Sequence, residues 1–188
     1  GNPKPLFAGA IINSPDPERL VRFYEQIFGG RRLPATGATA KEMRWRTPGF
    51  AGFAPVLTVR LAPSAATLGP LRVNDLGYAH LCFEADDVGG VVRRLLQYGG
   101  SVVSTFASVK RMLGIYARDP DGNVIEIHVP VPAAITVSSV WQTLGLLLRI
   151  KLGMSPSRQS RLRFIHVNVI VADWQHTVAF YQRALGAV

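Results

Sequence analysis

Three copies of one strand–helix unit constrain this 188-residue chain more than any other feature. Repeats dictate architecture, because each copy has to bury its apolar face against its neighbours. The first copy begins Gly9-Ala-Ile-Ile-Asn-Ser-Pro-Asp16, the second His80-Leu-Cys-Phe-Glu-Ala-Asp-Asp87, and the third His166-Val-Asn-Val-Ile-Val-Ala-Asp173. In each, an apolar strand leads to an aspartate seven positions after its first residue. Such a carboxylate caps the free N–H groups of a helix and suits the positive end of its dipole. Helical spacing follows each one: Leu20, Phe23, Tyr24, Ile27 and Phe28; Val88, Val91, Val92, Leu95 and Leu96; Val178, Tyr181 and Leu185. Gly29-Gly30, Gly99-Gly100 and Gly186 mark the helix ends. Phe23-Tyr24 and Phe180-Tyr181 both lie 14 and 15 positions after the start of their copy.

Three short strands follow the first helix, near 31–34, 41–47 and 55–62. Three more follow the second, near 101–106, 112–118 and 123–129. The expectation is two β-α-β-β-β units, 6–62 and 77–130, forming one domain over 1–132. Pro130 and Pro132 end it. Residues 133–162 read as a linker whose helix, over 135–152, puts Val137, Val140, Trp141, Leu144 and Leu148 on one face. Residues 163–188 read as the truncated start of a second such domain. A lone strand and helix cannot bury its apolar face. The expectation is therefore either a fragment of a two-domain protein or a last strand that completes a sheet elsewhere, in a homodimer or through pairing of 163–188.

The end of the second unit is chemically unusual. Asp119-Pro120-Asp121-Gly122 is a tight turn: Pro120 presets φ, Asp119 bonds back to the backbone and Gly122 accepts positive φ. Beyond it Val124, Glu126 and His128 alternate with Ile125 and Ile127. A carboxylate and an imidazole thus share one strand face, which is either solvated or lines a pocket.

Composition excludes several classes. Hydrophobic residues are 48% and charged residues 18%, so the chain is not disordered. The net charge of +9 invites a nucleic-acid reading. However, residues 1–132 hold 15 basic and 11 acidic groups, and no basic stripe is interleaved with aromatics. No nucleic-acid partner is expected. The basic run Arg149, Lys151, Arg158, Arg161 and Arg163 suits a linker better than an anionic membrane surface. No apolar run reaches the roughly 18 residues of a membrane span, and no signal peptide is visible at the N-terminus. A single cysteine, Cys82, leaves no internal disulfide and fits a reducing, cytoplasmic compartment.

The tandem units, the His-x6-Asp start, the Phe-Tyr pair and Asp-Pro-Asp-Gly-Asn-x-x-Glu together resemble the vicinal oxygen chelate superfamily. That superfamily includes glyoxalases, bleomycin-resistance-type binding proteins and extradiol dioxygenases. The resemblance covers residues 6–130 and restarts at 163–188. It implies an α+β fold in which paired units form a U-shaped, mixed eight-stranded sheet with helices outside. It also implies a small, anionic or oxygen-rich organic ligand held on the concave face, with a divalent metal (Fe, Mn, Ni or Zn) for lyase, isomerase or dioxygenase chemistry.

Carried over position by position, the resemblance assigns His80 and Glu126 to the metal. The first-strand position of the first unit is Gly9, which has no side chain, and no carboxylate or histidine lies between Glu42 and Asp75. His128 is a conceivable third ligand, though roughly 6–7 Å along the strand from Glu126. His166 is assigned instead to a separate site in a second domain. Tyr116 fits part of the extradiol signature, as a proton donor or substrate contact, but no histidine stands upstream near 107–109. Arg60, with Arg44 and Arg46, would attract an anionic substrate. Trp45, with Phe50 and Phe53, would supply apolar walls, and His128 a further substrate contact. Cys82 reads as a packing residue. The alternatives are a metal-free binding protein of the bleomycin-resistance type and an inert half-domain supporting a catalytic partner.

Overall fold

The computed structural model describes residues 8–34, 41–49, 54–62, 76–104, 114–128 and 162–186. The expected linker helix over 135–152, the basic residues from Arg149 to Arg161, and Phe50 and Phe53 lie outside them. Among the described residues no helix is long and apolar enough to cross a membrane.

The first unit runs β1(Gly9–Ser14), α1(Pro17–Phe28), β2(Arg31–Leu33), β3(Glu42–Arg46) and β4(Val56–Leu61). The second runs β5(Gly77–Ala85), α2(Val88–Gln97), β6(Ser101–Ser104), β7(Gly114–Arg118) and β8(Val124–His128). The third supplies β9(Leu162–Ile170) and α3(Trp174–Leu185). Each helix begins where its aspartate stands. Asp16, Asp87 and Asp173 accept the backbone N–H of Arg19, Gly90 and His176 at 3.0, 2.8 and 2.9 Å, satisfying donors that the first turn leaves unpaired.

The first sheet has the order β1-β4-β3-β2, with β1 parallel to β4. The second repeats it as β8 parallel to β5, then adds a fifth strand: β6-β7-β8-β5-β9. So the α+β class and the repeated units hold, but the eight strands of the two units form two sheets among the described residues. The edge of β5 pairs antiparallel with β9, the strand expected to open a separate domain.

Both sheets share one core. Phe28 stacks on Phe83 with ring centroids 4.0 Å apart, and Phe164 of β9 meets Phe83 edge-on at 5.7 Å. Tyr24 lies against Trp45 at 5.4 Å. The turn after β7 ties the units together. Tyr24 donates its hydroxyl to the buried Asp119 at 2.9 Å, while Ser14 and Arg19 both donate to Asp121.

Candidate metal centre

Strand alternation on β5 puts His80, Cys82 and Glu84 on one face, while Leu81, Phe83 and Ala85 enter the core with the helices. On β8 the same face carries Glu126 and His128, and on β7 it carries Tyr116. Register then aligns them across the sheet. Tyr116 stands opposite Glu126, Glu126 beside Cys82, and Cys82 opposite His166 of β9. His80 stands opposite Asn168, one step along.

An irregularity in β9 sets this row. Cys82 pairs with His166 but Phe83 with Phe164, so Ile165 is an extra residue opposite the Cys82–Phe83 step. Such a bulge breaks strict alternation. Phe164 can therefore enter the core while both His166 and Arg163 fall opposite inner-face positions. Arg163 donates its Nε–H to Glu84 at 2.6 Å.

The imidazole nitrogens of His80 and His166 and a carboxylate oxygen of Glu126 bring one donor each, all within 4.8 Å of one another. His80 Nε2 lies 2.8 Å from Glu126 Oε2. That contact pairs Nε2 with the carboxylate, whereas among the described residues His80 Nδ1 has no hydrogen-bond partner. His80 is only 2% exposed, so water does not compensate. Buried polar atoms left in this way are rare in folded proteins. A divalent ion at about 2.1 Å from each donor would hold them roughly 3–3.5 Å apart. Donors within 4.8 Å of one another are at most about 1.3–1.8 Å wider than that, and two imidazoles with a carboxylate suit a first-row transition ion. On an observation of its own geometry, the site fits a metal.

The electrostatics agree with a preformed anionic donor. The adjacent His80 imidazole, outweighing burial, holds the Glu126 carboxyl below its usual range, and His128 and His166 add to the effect. Burial lowers the pKa of His166, partly opposed by Glu126. Tyr116, whose ring lies 5.5 Å from that of His80, is raised by burial and then by Glu126. Burial, with Glu126 second, raises the Cys82 thiol, which keeps it protonated.

Several expected residues stand elsewhere. Trp45 is fully buried in the core and donates its indole N–H to the Gly29 carbonyl at 2.8 Å, so it lines no ligand surface. Arg60 lies on the first sheet, where its Nε–H donates to Glu42 at 2.8 Å. Arg44 and Arg46 share that sheet. All three belong to the first sheet, whereas the histidine cluster is built on the second. His128 is buried in register with Glu84, one row from Glu126. His166, assigned from sequence to a separate site, lies with its ring centroid 6.0 Å from that of His80. The only signal for this was the repeat itself: Gly9 vacates the first-strand position, and His166 occupies the same position of the third copy.

The chain matches the profile of the glyoxalase/bleomycin resistance protein/dioxygenase superfamily over residues 7–127. No curated protein matches it. Among solved structures it is similar to a domain of that description from Frankia sp. EAN1pec (18% identity, TM-score 0.54, covering 68% of this chain and 93% of that one). A family enzyme from Burkholderia phytofirmans PsJN gives 13% identity and TM-score 0.52, over 66% and 98% of the two chains. A glyoxalase/dioxygenase from Nostoc punctiforme gives 22% identity and TM-score 0.51, over 68% and 92%. At these identities the likeness is one of fold.

Proposed function

Since the chain belongs to the glyoxalase/bleomycin resistance protein/dioxygenase superfamily, we propose that it holds a divalent transition-metal ion between its second and third units and acts there on a small, oxygen-bearing organic molecule. His80, Glu126 and His166 are the ligands. The observation that carries this reading is the convergence of three potential metal donors, one of them a buried histidine that meets the Glu126 carboxylate at 2.8 Å. When bound, the ion supplies Lewis-acid stabilisation of negative charge on a substrate oxygen, the chemistry of lyase, isomerase or dioxygenase members.

The chain's own residues have separate parts. Glu126 offers a carboxylate that is ionised before any ion arrives. Tyr116, in register with Glu126, keeps its phenolic proton at neutral pH and is placed to donate it to a ligand oxygen. Asn168, opposite His80, adds an amide able to donate or accept. On this reading the division into 1–132, 133–162 and 163–188 is one of sequence, because the third segment lends its histidine to the second unit. A metal-free binding protein is less well supported, since Trp45, its main aromatic wall, is spent in the core.

Metal titration by calorimetry, with metal content by mass spectrometry, tests the proposal. The wild-type chain should bind one equivalent of Zn(II), Mn(II) or Fe(II). His80→Ala, Glu126→Gln and His166→Ala should each weaken binding by roughly 10-fold or more, with circular dichroism unchanged. Equal affinity in His166→Ala would remove the third unit from the site. The absence of stoichiometric binding in the wild type would overturn the metal reading.

A further inference from the structure

We propose that the first unit carries a binding site of its own, a cleft at the end of its sheet that takes a small organic acid with an apolar body and holds the carboxylate on Arg44. The cleft has a volume of about 630 Å³ and is lined from the β1–α1 junction, the end of β2, the start of β3 and the end of β4. That is the size of an ordinary small-molecule site. Its walls are mainly apolar: Pro15, Pro17, Leu33, Pro34, Met43 and Leu61. Every lining residue belongs to the first unit, whereas His80, Glu126 and His166 belong to the second and third.

The charged groups on this lining are engaged, with one exception. Both Glu18 carboxylate oxygens accept from Arg32 Nη1, at 2.9 and 2.8 Å. Arg32 Nη2 donates to Glu25 at 2.9 Å. Glu42 accepts the Nε–H of Arg60 at 2.8 Å. Asp16 caps α1, where the positive end of the helix dipole offsets its charge. Arg44 remains. Among the described residues it has no ion pair. Trp45 enters the core, so strand alternation puts Arg44 on the opposite face of the sheet, between Leu33 of β2 and Thr58 of β4. Neither cross-strand neighbour carries a charge.

The surroundings favour an anion. Arg46 follows two residues along the same strand face, roughly 6–7 Å away, and stands directly opposite Arg31. Neither of these has an ion pair among the described residues. Like charges directly opposed across two strands are destabilising, so an anion beside them relieves a repulsion that the fold maintains. A guanidinium presents its donors as a fork that matches a carboxylate. One unpaired cation in the cleft matches one negative charge, and the apolar walls cover the rest of the molecule. The site shares no residue with the histidine cluster, so it stands or falls independently of the metal reading.

Titration calorimetry of the full chain with 4-phenylbutyrate, and with its neutral amide, tests the proposal. One equivalent of the acid should bind. The amide should bind about 10- to 100-fold more weakly, the range of a charge-assisted hydrogen-bonded pair. Arg44→Gln should lose the same factor for the acid and leave the amide unchanged, with circular dichroism as in the wild type. Neither EDTA nor His166→Ala should alter these results, whereas an acid held by a metal ion would be released in both. Equal affinity of the wild type for acid and amide would overturn the proposal without recourse to any variant. So would no binding of the acid at about 1 mM, undiminished binding in Arg44→Gln, or binding that EDTA or His166→Ala abolishes.

Discussion

Asp119 shows how one side chain in a recognisable turn acquires a role that the turn does not need. Its Oδ1 accepts the backbone N–H of Asp121 and Asn123 at 3.0 and 2.9 Å. That much is ordinary Asx-turn chemistry. Its Oδ2 accepts the Asn123 amide at 2.8 Å and the Tyr24 hydroxyl at 2.9 Å, and the latter bond joins the two units. Burial pushes its carboxyl up to about 6, against the lowering effect of Asn123 and Tyr24. The folded state therefore holds the proton more tightly than the unfolded chain does. This contribution to stability is complete below about pH 4 and is lost as pH rises through 6, a change of about 3 kcal/mol at most. Urea denaturation between pH 4 and 7 should show this falling component. In Asp119→Asn the component should vanish, with lower stability throughout because a second acceptor oxygen is gone. An unchanged slope in the variant would assign the titration to another group.

At the scale of elements, three helices share one cap and differ in what they bury. α1 and α2 sink Leu20, Phe23, Tyr24, Val91 and Leu95 into the core, whereas α3 buries none of its residues among the described ones. Short helices are marginal without tertiary packing, so local terms count most for α3. Replacing Asp87 by Ala should lower global stability by about 1 kcal/mol and leave α2 intact. Replacing Asp173 by Ala should melt α3, seen as loss of amide hydrogen-exchange protection over 174–185 alone. Retained protection there would mean that something beyond the cap holds this helix. Helix and strand positions were legible in the sequence because periodicity and caps are local; α1 begins after Asp16 and β8 follows Gly122 as read. The Ile165 bulge was not legible, since it depends on Phe164 seeking the core while His166 faces the other side.

For the whole molecule, the shared core is what brings the units together. Phe83 touches Phe28 of the first unit and Phe164 of the third. Phe83→Ala should cost about 3–5 kcal/mol and still unfold in a single transition by fluorescence and circular dichroism. Two transitions would show that the units fold separately. The sequence by itself determined the repeat, the α+β class, the capped helices and the pairing of His80 with Glu126 on one sheet face. The repeat and the capped helices follow from spacing within one unit and from the fixed periods of strand and helix; the α+β class and the pairing of His80 with Glu126 are what the superfamily resemblance implied. Only the tertiary structure decided which first strands pair, and this choice brought His166 beside His80 and left Trp45 in the core. Edge-to-edge pairing is fixed by competition among three similar strands for the same partner, and no local pattern records its outcome. The strand–helix repeat announced that three such strands exist; Phe164 packs on Phe83 where β9 pairs with β5, while among the described residues β1 pairs with β4 alone.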